Sequence, residues 1–507
     1  MSEEIDERFS ELFRNLFGNE YLLKEIFNFI DKSYSSFINS CKFLHNLKYF
    51  RLNRNYSIKY YRSESYRNYF INKRFSLNLS NCPIIRNLSI LENINTLNLS
   101  YCQNINDVSA LRNVLNLNLS FCKNIKDISS LGNVRNLNLS STNINNVYAL
   151  GNVRNLNLSY CEITDVNALG NVHNLNLSYC GNLTDVSALG NVHTLDLSYC
   201  KNITDVSALR NVYNLNLSST NINDVRALGN VPNLNLSFCN GITDVRALGN
   251  VPNLNLSFCN GITDVRALGN VHTLYLSGCK NINDVSLLGN VHTLNLSNCQ
   301  GITDVSALGN VHTLNLNHCI NLTDVSALGK VHNLNLSYCS NLTNVSALGK
   351  VHNLNLNHCN NLTDVSALGN VHNLNLSYCS NLTNVSALGN VHTLSLYRSY
   401  LINNVSALGN VHNLDLSYCS SITDVSTLGN VHNLNLSHCF KITDVSALGN
   451  IHTLNLSCCN GITDVSALGN VDTLDLSWCE NITDVSALSN VRKLDISQCD
   501  KLLSKQL

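Results

Sequence analysis

The sequence lacks long apolar segments. No window approaches about 18 consecutive apolar residues, so we expect no membrane-spanning helix. The first residues, Met1 to Glu7, are acidic and lack the apolar core of a secretory signal, so none is expected there. Proline is also rare, and the 507 residues contain only Pro83, Pro232 and Pro252. This bias fits an AT-rich coding genome and carries no information about activity.

Common metal and cofactor motifs are absent as well. The chain has no C-x-x-C pair at zinc-site spacing and no Gly-rich phosphate loop. Charged residues make up only 13 % of the chain, and the net charge is −1. That charge is unevenly spread, because residues 1–76 carry a net +4 and the rest a net −5. We therefore expect no cofactor and no metal site.

What the sequence does contain is a repeat. A Leu-x-Leu pair recurs 22 times, from Leu77 and Leu79 to Leu494 and Ile496. The step is 20 residues, apart from three steps of 19. The unit at residues 331–350 reads VHNLNLSYCSNLTNVSALGK, and its residues define positions 1 to 20 of every unit. A fixed period of this length is typical of solenoid proteins.

The apolar positions of the unit predict the fold. Positions 1, 4, 6, 12, 15 and 18 are apolar, and only stacked units can bury them in a shared core. Positions 4 and 6 have strand spacing and face one side, which places positions 3, 5 and 7 on the opposite, concave side. We predict an α/β solenoid, an arc or horseshoe. A continuous parallel sheet lines its concave face, short 3₁₀-like turns its convex face, and a small α-helical domain precedes it.

Two positions predict how the turns begin and end. Position 14 is usually Asp, as in Asp185, Asp205 and Asp304. Its carboxylate can cap the short turn of tight helix that follows. The Gly-Asn pair at positions 19 and 20 suits a left-handed exit into the next strand.

The cysteines form a column. Nineteen of the 21 occupy position 9, from Cys82 to Cys499, and Thr142, Thr220 and Ser399 fill the same position in three units. Thr or Ser can keep a hydrogen bond to the backbone but cannot form a disulfide. We therefore expect buried, reduced thiols and not a disulfide ladder or metal array. So many free thiols favour a reducing, intracellular compartment.

The histidines form a second column. Twelve of the 16 lie at position 2, and ten of these are in consecutive units, from His272 to His452. Imidazoles one strand apart could bind metal. However, no carboxylate accompanies them at a fixed position, and Arg135 and Tyr213 replace them elsewhere. This favours a surface stacking column whose neighbours would repel one another when protonated.

Small polar residues cover the predicted concave face. Position 5 is nearly always Asn or Asp and position 7 nearly always Ser, which suggests hydrogen-bonded ladders of small side chains. Nowhere in these columns do a base, a nucleophile and an orienting acid converge. We therefore predict no catalytic residues, and we expect that the protein is not an enzyme.

Position 8 varies more, with Tyr, Phe, His, Arg and Trp. Aromatic residues and Arg are enriched at binding hot spots, although the column could merely cover the cysteine bend. One unit, with Tyr397, Arg398 and Tyr400, lacks both the position-9 Cys and the position-5 Asn. We predict that a protein ligand binds there, with Tyr378 and Tyr418 alongside. The alternative is a decayed repeat without a ligand.

The first 76 residues do not repeat. Residues 1–47 contain a helical apolar stripe made of Leu22, Leu23, Ile26 and Ile30. Residues 48–76 combine eight basic residues with six tyrosines. That mixture can mark nucleic-acid binding, but a linker that caps the first repeat is favoured because a solenoid's open end must be covered. Residues 77–501 are the repeats, and 502–507 form a C-terminal tail.

The repeat and the N-terminal stripe resemble known families. The L-x-x-L-x-L pattern resembles the leucine-rich repeat, and residues 254–264, LNLSFCNGITD, resemble its cysteine-containing class, frequent in F-box/LRR proteins. Residues 22–31, LLKEIFNFID, resemble a degenerate F-box, although Gly18-Asn19 replaces the usual Leu-Pro. The short unit with D-V-S-A-L also resembles internalin-type repeats. The near-identical units in an Asn-rich chain are similar to repeat proteins of giant DNA viruses of amoebae.

The F-box resemblance implies a substrate-recognition adaptor of an SCF-type ubiquitin ligase. In that reading, Leu22, Leu23, Ile26 and Ile30 bind a Skp1-like protein and the solenoid holds the substrate. The alternative is a stand-alone binding scaffold with no link to ubiquitin ligation, whose N-terminal helices act only as a cap. Both readings imply a protein partner on the concave face, no membrane contact, and an intracellular, cytoplasmic location (the host cytoplasm if the protein is viral).

Overall fold

The computed structural model describes residues 50–51, 54–67, 75–92 and 94–503. Within them, 23 strands form one sheet, and each strand pairs in parallel with the next along the chain. The register places equal positions side by side, so Leu334 lies opposite Leu354 and Asn335 opposite Asn355. The predicted continuous parallel sheet is confirmed, and each repeat position becomes a column across it.

The strands are three residues long, except β1 with two residues and β2 with four. Their bounds are β1 Phe50–Arg51, β2 Phe75–Asn78, β3 Thr96–Asn98, β4 Asn116–Asn118, β5 Asn136–Asn138, β6 Asn155–Asn157, β7 Asn174–Asn176, β8 Thr194–Asp196, β9 Asn214–Asn216, β10 Asn233–Asn235, β11 Asn253–Asn255, β12 Thr273–Tyr275, β13 Thr293–Asn295, β14 Thr313–Asn315, β15 Asn333–Asn335, β16 Asn353–Asn355, β17 Asn373–Asn375, β18 Thr393–Ser395, β19 Asn413–Asp415, β20 Asn433–Asn435, β21 Thr453–Asn455, β22 Thr473–Asp475 and β23 Lys493–Asp495.

Helices are short throughout the described ranges. The α-helices are α1 Arg54–Arg62, α2 Glu64–Arg67 and α3 Asp500–Leu503. The 3₁₀ turns between strands are Ser89–Leu91, Ser109–Leu111, Ser129–Leu131, Tyr148–Leu150, Asn167–Leu169, Ser187–Leu189, Ser207–Asn211, Arg226–Leu228, Arg246–Leu248, Arg266–Leu268, Ser306–Asn310, Ser326–Lys330, Ser346–Leu348, Ser366–Leu368, Ser386–Leu388, Ser406–Asn410, Leu428–Asn430, Ser446–Leu448, Ser466–Asn470 and Ser486–Leu488. None of these helices has the length and apolar character needed to cross a membrane.

The core lies between the sheet and the 3₁₀ turns and runs through all units. In the unit at 331–350, the six apolar positions and Cys339 are at most 2 % exposed. Burying one Leu side chain stabilises a fold by about 1.5–3 kcal/mol. An isolated unit would leave both flat sides of this layer in water, so each unit depends on its neighbours.

The polar residue at position 14 begins each turn as predicted. The Ser187 backbone N–H donates to Asp185 Oδ1 at 2.8 Å, and Ser346 N–H donates in the same way to Asn344 Oδ1 at 2.9 Å. The donated N–H stabilises the carboxylate and holds the pKa of Asp185 below its usual range. The cap therefore needs a side-chain oxygen and no charge, which explains why Asn substitutes for Asp.

The expected left-handed exit at position 19 is wrong. Gly190 has φ −61°, in the right-handed region. A Cβ on this glycine would lie 2.5 Å from the carbonyl oxygen of Ala208 in the next turn. The glycine is therefore explained by close approach between successive turns. The requirement is not strict, because Arg112 occupies the same position in another unit with φ −56°.

The cysteine column is buried, as expected. Cys339 Sγ donates to the carbonyl oxygen of Leu316 in the preceding unit at 3.2 Å, and Ser399 Oγ makes the equivalent bond to Leu376 at 3.3 Å. Every cysteine in the described part of the chain is a free thiol. Burial raises the pKa of Cys200 to about 11. These thiols therefore join successive units through hydrogen bonds and stay protonated at neutral pH.

Part of the basic segment packs on the first repeat. Helix α1 buries Tyr60, which is 8 % exposed, against the core. Ser57 Oγ accepts a hydrogen bond from Asn78 N–H at 2.9 Å, and Arg54 Nη2 donates to the Asn81 carbonyl at 2.9 Å. Strand β1 pairs with β2 and was not expected from the sequence. These contacts use several of the segment's aromatic and basic side chains to hold it against the end of the sheet.

We predict that the position-9 thiols react only after unfolding. In a Cys41→Ser background, a thiol reagent at pH 8 should modify Cys458 first, because it is the one described cysteine that is not fully buried. A Cys458→Ser variant should then show almost no fast reaction until denaturant is added, without any reductant. Rapid labelling of Cys200 or Cys339 in the native protein would contradict the buried column.

Candidate ligand-binding surface

Three sets of side chains cross the open, concave face of the sheet. Positions 3 and 5, as in Asn333 and Asn335, form what we call the polar floor. Position 2, as in His332, precedes each strand and forms the histidine column. Position 8, as in Tyr338, follows each strand and forms the aromatic column. The sheet register repeats each of these once per strand.

The polar floor is hydrogen-bonded across units, mostly through position 3 and in a few units through the expected positions 5 and 7. At position 3, Asn353 Nδ2 donates to Asn333 Oδ1 at 2.5 Å, and other units repeat this bond. At position 5, Asn335 Oδ1 accepts from the backbone N–H of Ser337 in its own unit at 3.0 Å. Ser337 is only 4 % exposed. The predicted ladder at positions 5 and 7 is therefore present in only a few units, and the longer ladder runs along position 3. Position 7 is buried in some units, such as this one, and half-buried in others.

A tyrosine interrupts the polar floor. The floor forms shallow grooves from Thr96 to Asp196, from Thr194 to Tyr275 and from Thr313 to Ser395. Tyr275, at position 5 and 39 % exposed, ends the second of these grooves. Sequence reasoning did not select Tyr275. The signal was present, because it breaks a position that is otherwise Asn, Asp or Ser.

The aromatic column has an unusual backbone. Position 8 has positive φ in all 22 units, for example 60° at Tyr338 and 62° at Trp478, and Gly278 is the single glycine among them. A left-handed conformation costs a non-glycine residue roughly 1–2 kcal/mol. The N–H of position 9 bonds to the carbonyl of position 6, as in Cys339 to Leu336 at 3.2 Å, so position 8 is the third residue of a tight turn. Glycine or Asn is usual there.

Stacking offsets that cost where neighbouring units both carry a ring at position 8. Tyr160, Tyr179 and Tyr199 stack with ring centroids 4.2 and 4.1 Å apart, and Tyr338 stacks on His358 at 4.3 Å. Such aromatic pairs contribute about 0.5–1.5 kcal/mol beyond their area burial. The rings remain partly open, and Tyr160 is 56 % exposed. The column therefore covers the cysteine bend and also presents aromatic edges to solvent. Its geometry is compatible with both a structural role and a ligand-binding role.

The predicted ligand residues lie together around Arg398. Its Cζ is 4.8 Å from the Tyr418 ring centroid, 5.6 Å from that of Tyr378 and 5.4 Å from that of Tyr397. The Tyr397 ring meets Tyr378 and Tyr418 edge-on, at 5.1 and 5.4 Å. Tyr400 is two residues further along and 43 % exposed. We call Tyr378, Tyr397, Arg398 and Tyr418 the arginine cluster.

The histidine column is a continuous stack, as its spacing predicted. From His272 to His452, neighbouring ring centroids are 4.6–4.9 Å apart. Only the last pair is edge-on, and there His452 Nδ1 lies 3.4 Å from Asp472 Oδ2. Loss of hydration, and then the charges of neighbouring imidazoles, lower the pKa of His352. The same causes lower the pKa values of His392 and His432.

Two further expectations concern metals and the N-terminal stripe. Within residues 50–51, 54–67, 75–92 and 94–503, no three His, Cys, Asp or Glu side chains are grouped so that they could hold a metal ion. The predicted Skp1-binding residues lie outside the described residues, and so does the whole F-box-like segment, residues 1–47. These are Leu22, Leu23, Ile26 and Ile30.

Comparison with known proteins identifies the fold. No protein-family profile and no curated protein sequence matches the chain. The mouse RP105/MD-1 complex is similar in structure, with a TM-score of 0.51 and 19 % identity over 83 % of this chain and 78 % of that chain. A leucine-rich-repeat protein of Leptospira interrogans has a TM-score of 0.45 and 20 % identity over 61 % of this chain and 90 % of its own. The functional domain of InlJ from Listeria monocytogenes, which includes a cysteine ladder, has a TM-score of 0.39 and 19 % identity over 71 % and 72 %.

The chain therefore has the fold of a leucine-rich-repeat solenoid. The in-register parallel sheet and the likeness to the RP105/MD-1 complex agree on this point. At this level of identity the comparison shows the fold alone. What the protein binds has to be argued from its own surface.

We predict that acid destabilises the histidine column. His352, His392 and His432 have lowered pKa values, so the folded state binds fewer protons at these groups than the unfolded state. The free energy of unfolding should therefore fall as the pH decreases through about 6.5, the ordinary histidine pKa. Thermal unfolding midpoints at pH 7.5 and 5.0 would measure this.

The matched variant is His352→Tyr/His392→Tyr/His432→Tyr, which removes the three histidines whose pKa values are lowered. Tyr213 occupies position 2 naturally and stacks on His193 with centroids 4.9 Å apart, so tyrosine keeps the stack and removes the charge. The variant should lose less stability than the wild type between pH 7.5 and 5.0. The capping carboxylates stay ionised in this window, because their pKa values are lowered. An equal loss in both proteins would refute the prediction.

Proposed function

We propose that the protein is a binding scaffold that holds a protein partner on its concave face and has no catalytic role. The observation that best supports this proposal is the arginine cluster. Arg398 is the only Lys or Arg in the aromatic column, and no carboxylate in the described part of the chain forms an ion pair with it. Its charge is therefore available to a ligand.

The geometry of Arg398 favours binding. Tyr378 and Tyr418 hold the guanidinium from two sides, and Arg398 Nε is buried without a hydrogen-bond partner. A guanidinium fixed in this way loses little side-chain entropy when it binds. Tyr and Arg are also the residue types that most often dominate binding energy at interfaces.

The surroundings supply the remaining contacts. The polar floor beside the cluster offers amide groups over many units, and the groove that begins at Thr313 ends at Ser395 in the same unit as Arg398. Small polar side chains of this kind exclude water around an anchor without fixing the partner's identity. The neighbouring structure of the RP105/MD-1 complex is of a protein bound to a protein, which is consistent with this class of function.

The test requires a partner purified with the wild-type protein. Alanine at Tyr397 together with alanine at Arg398 should weaken its affinity at least about tenfold, since an exposed Tyr or Arg anchor contributes about 2 kcal/mol or more. The matched control is Tyr199→Ala, which removes a stacked tyrosine from the same column away from the cluster. Isothermal titration calorimetry gives the affinities, and thermal unfolding confirms that the variants fold. Unchanged binding in the double variant, with a loss in Tyr199→Ala, would place the site elsewhere on the arc.

The adaptor hypothesis is the finer form of this proposal. It is supported by the resemblance of residues 22–31 to an F-box, and it predicts that Ile26 and Ile30 bind a Skp1-like protein. Ile26→Asp/Ile30→Asp should abolish co-purification with a Skp1-like protein, while alanine at Tyr397 should leave it intact. If the wild-type chain does not bind a Skp1-like protein, the adaptor hypothesis fails and the stand-alone scaffold remains. The buried free thiols support an intracellular location for either form.

A further inference from the structure

The proposed function leaves the histidine column unused, although it runs through ten consecutive units. Ten imidazoles follow one another from His272 to His452 with ring centroids 4.6–4.9 Å apart, and their faces stack in every pair except the last, which is edge-on. The column therefore presents ring edges, with their nitrogen atoms, to solvent. Flat aromatic faces are not available to a ligand.

The charges beside the column are few and mainly positive. Lys330 and Lys350 immediately precede the units of His332 and His352. Position 3 supplies only Thr or Asn next to each histidine, and position 1 is a buried Val or Ile. In the described residues a carboxylate meets the column only at its C-terminal end. There Asp472 contacts His452 and is itself paired with Arg492, whose Nη2 is 2.6 Å from Asp472 Oδ2.

This arrangement makes the column a row of positive charges in acid. Protonation of neighbours less than 5 Å apart is opposed by repulsion, which is only partly screened at that distance. An anionic ligand along the row would remove this opposition, so binding and protonation must favour each other. The same stack that weakens the free protein in acid is therefore poised to take up protons when a polyanion binds.

We propose that the histidine column binds a linear chain of phosphates when its imidazoles are protonated. The spacing favours this ligand, because phosphates joined through single bridging oxygens lie closer together than neighbouring imidazoles, so every imidazole can meet one. Acidic side chains on one face of an extended peptide are about 6.6 Å apart and cannot match the row one for one. Single-stranded nucleic acid gains much of its affinity from bases stacked on open aromatic faces, which the column does not offer.

The experiment measures binding of inorganic polyphosphate to the full chain by calorimetry at pH 7.5 and 5.5. Uptake of one proton on binding changes the affinity by up to about tenfold per pH unit, so we expect at least a tenfold gain at pH 5.5. Repeating the titration in two buffers of different ionisation enthalpy counts the protons taken up. Polyglutamate and oligodeoxythymidylate of similar charge are the comparison ligands.

Two triple variants separate the column from general charge. His332→Tyr/His352→Tyr/His372→Tyr keeps the stack, as Tyr213 does at this position, and should lower the polyphosphate affinity at pH 5.5 at least about tenfold. His318→Tyr/His358→Tyr/His438→Tyr removes the same number of imidazoles from the aromatic column, where tyrosine is common, and should bind like the wild type. Circular dichroism checks that both fold.

The following results would overturn the proposal: no polyphosphate binding at pH 5.5, equal losses in the two triple variants, or binding without proton uptake. Polyglutamate binding as tight as polyphosphate would refute the spacing argument, and tighter oligonucleotide binding would refute the exclusion of bases. The histidine-column variant changes neither the arginine cluster nor the rings stacked on it, so failure of this proposal leaves the proposed protein-binding site untouched.

Discussion

In-register stacking of identical positions is the constraint on which the rest of this structure depends. A parallel sheet places each residue beside the residue at the same position of the next unit, about 4.8 Å away. Every position must therefore be compatible with a copy of itself. Leucine and cysteine pack on themselves, asparagine both donates to and accepts from itself, and planar rings stack. Buried carboxylates would repel their copies in neighbouring units. The Asp residues at position 14 are accordingly exposed, and each accepts a hydrogen bond from a backbone N–H.

The fold could be predicted from the sequence because the repeat period reflects this constraint directly. Apolar positions at a fixed step predict the shared core, and the replacement of cysteine by Thr142 or Ser399 predicts hydrogen-bonded thiols. The two substitutes differ in detail. Ser399 bonds to the preceding unit as cysteine does, whereas Thr142 bonds to Leu139 of its own unit at 2.6 Å. The residue type at position 9 therefore predicts that a hydrogen bond forms, but it does not predict which carbonyl oxygen accepts that bond.

The errors all concern contacts between units that a single repeat cannot reveal. The sequence suggests a left-handed conformation for Gly190. In the structure its lack of a side chain instead allows the carbonyl oxygen of Ala208 in the next turn to approach closely. The left-handed residue is instead position 8, where Tyr and Trp sit in a conformation that usually selects glycine. Where neighbouring units both carry a ring at position 8, stacking stabilises that strained turn and offsets the backbone preference. For the site, the grouping of Tyr397 and Arg398 was predictable from the broken repeat, whereas Tyr275 required knowledge of where the polar floor lies.

The same constraint determines where specificity can reside. A ligand that contacts only uniform columns can shift by one unit and find the same surface, so such columns favour polymers with a regular repeat of their own. A partner that must bind in one place needs a break in the repetition. Arg398, with its charge unpaired between two tyrosines, and Tyr275, followed by Gly278 in the aromatic column, are breaks of this kind. The histidine column, which precedes the strands, is uniform, and the aromatic column, which follows them, is irregular. The first can therefore bind a regular polymer at any of several equivalent positions, while the second can hold a partner at one fixed position.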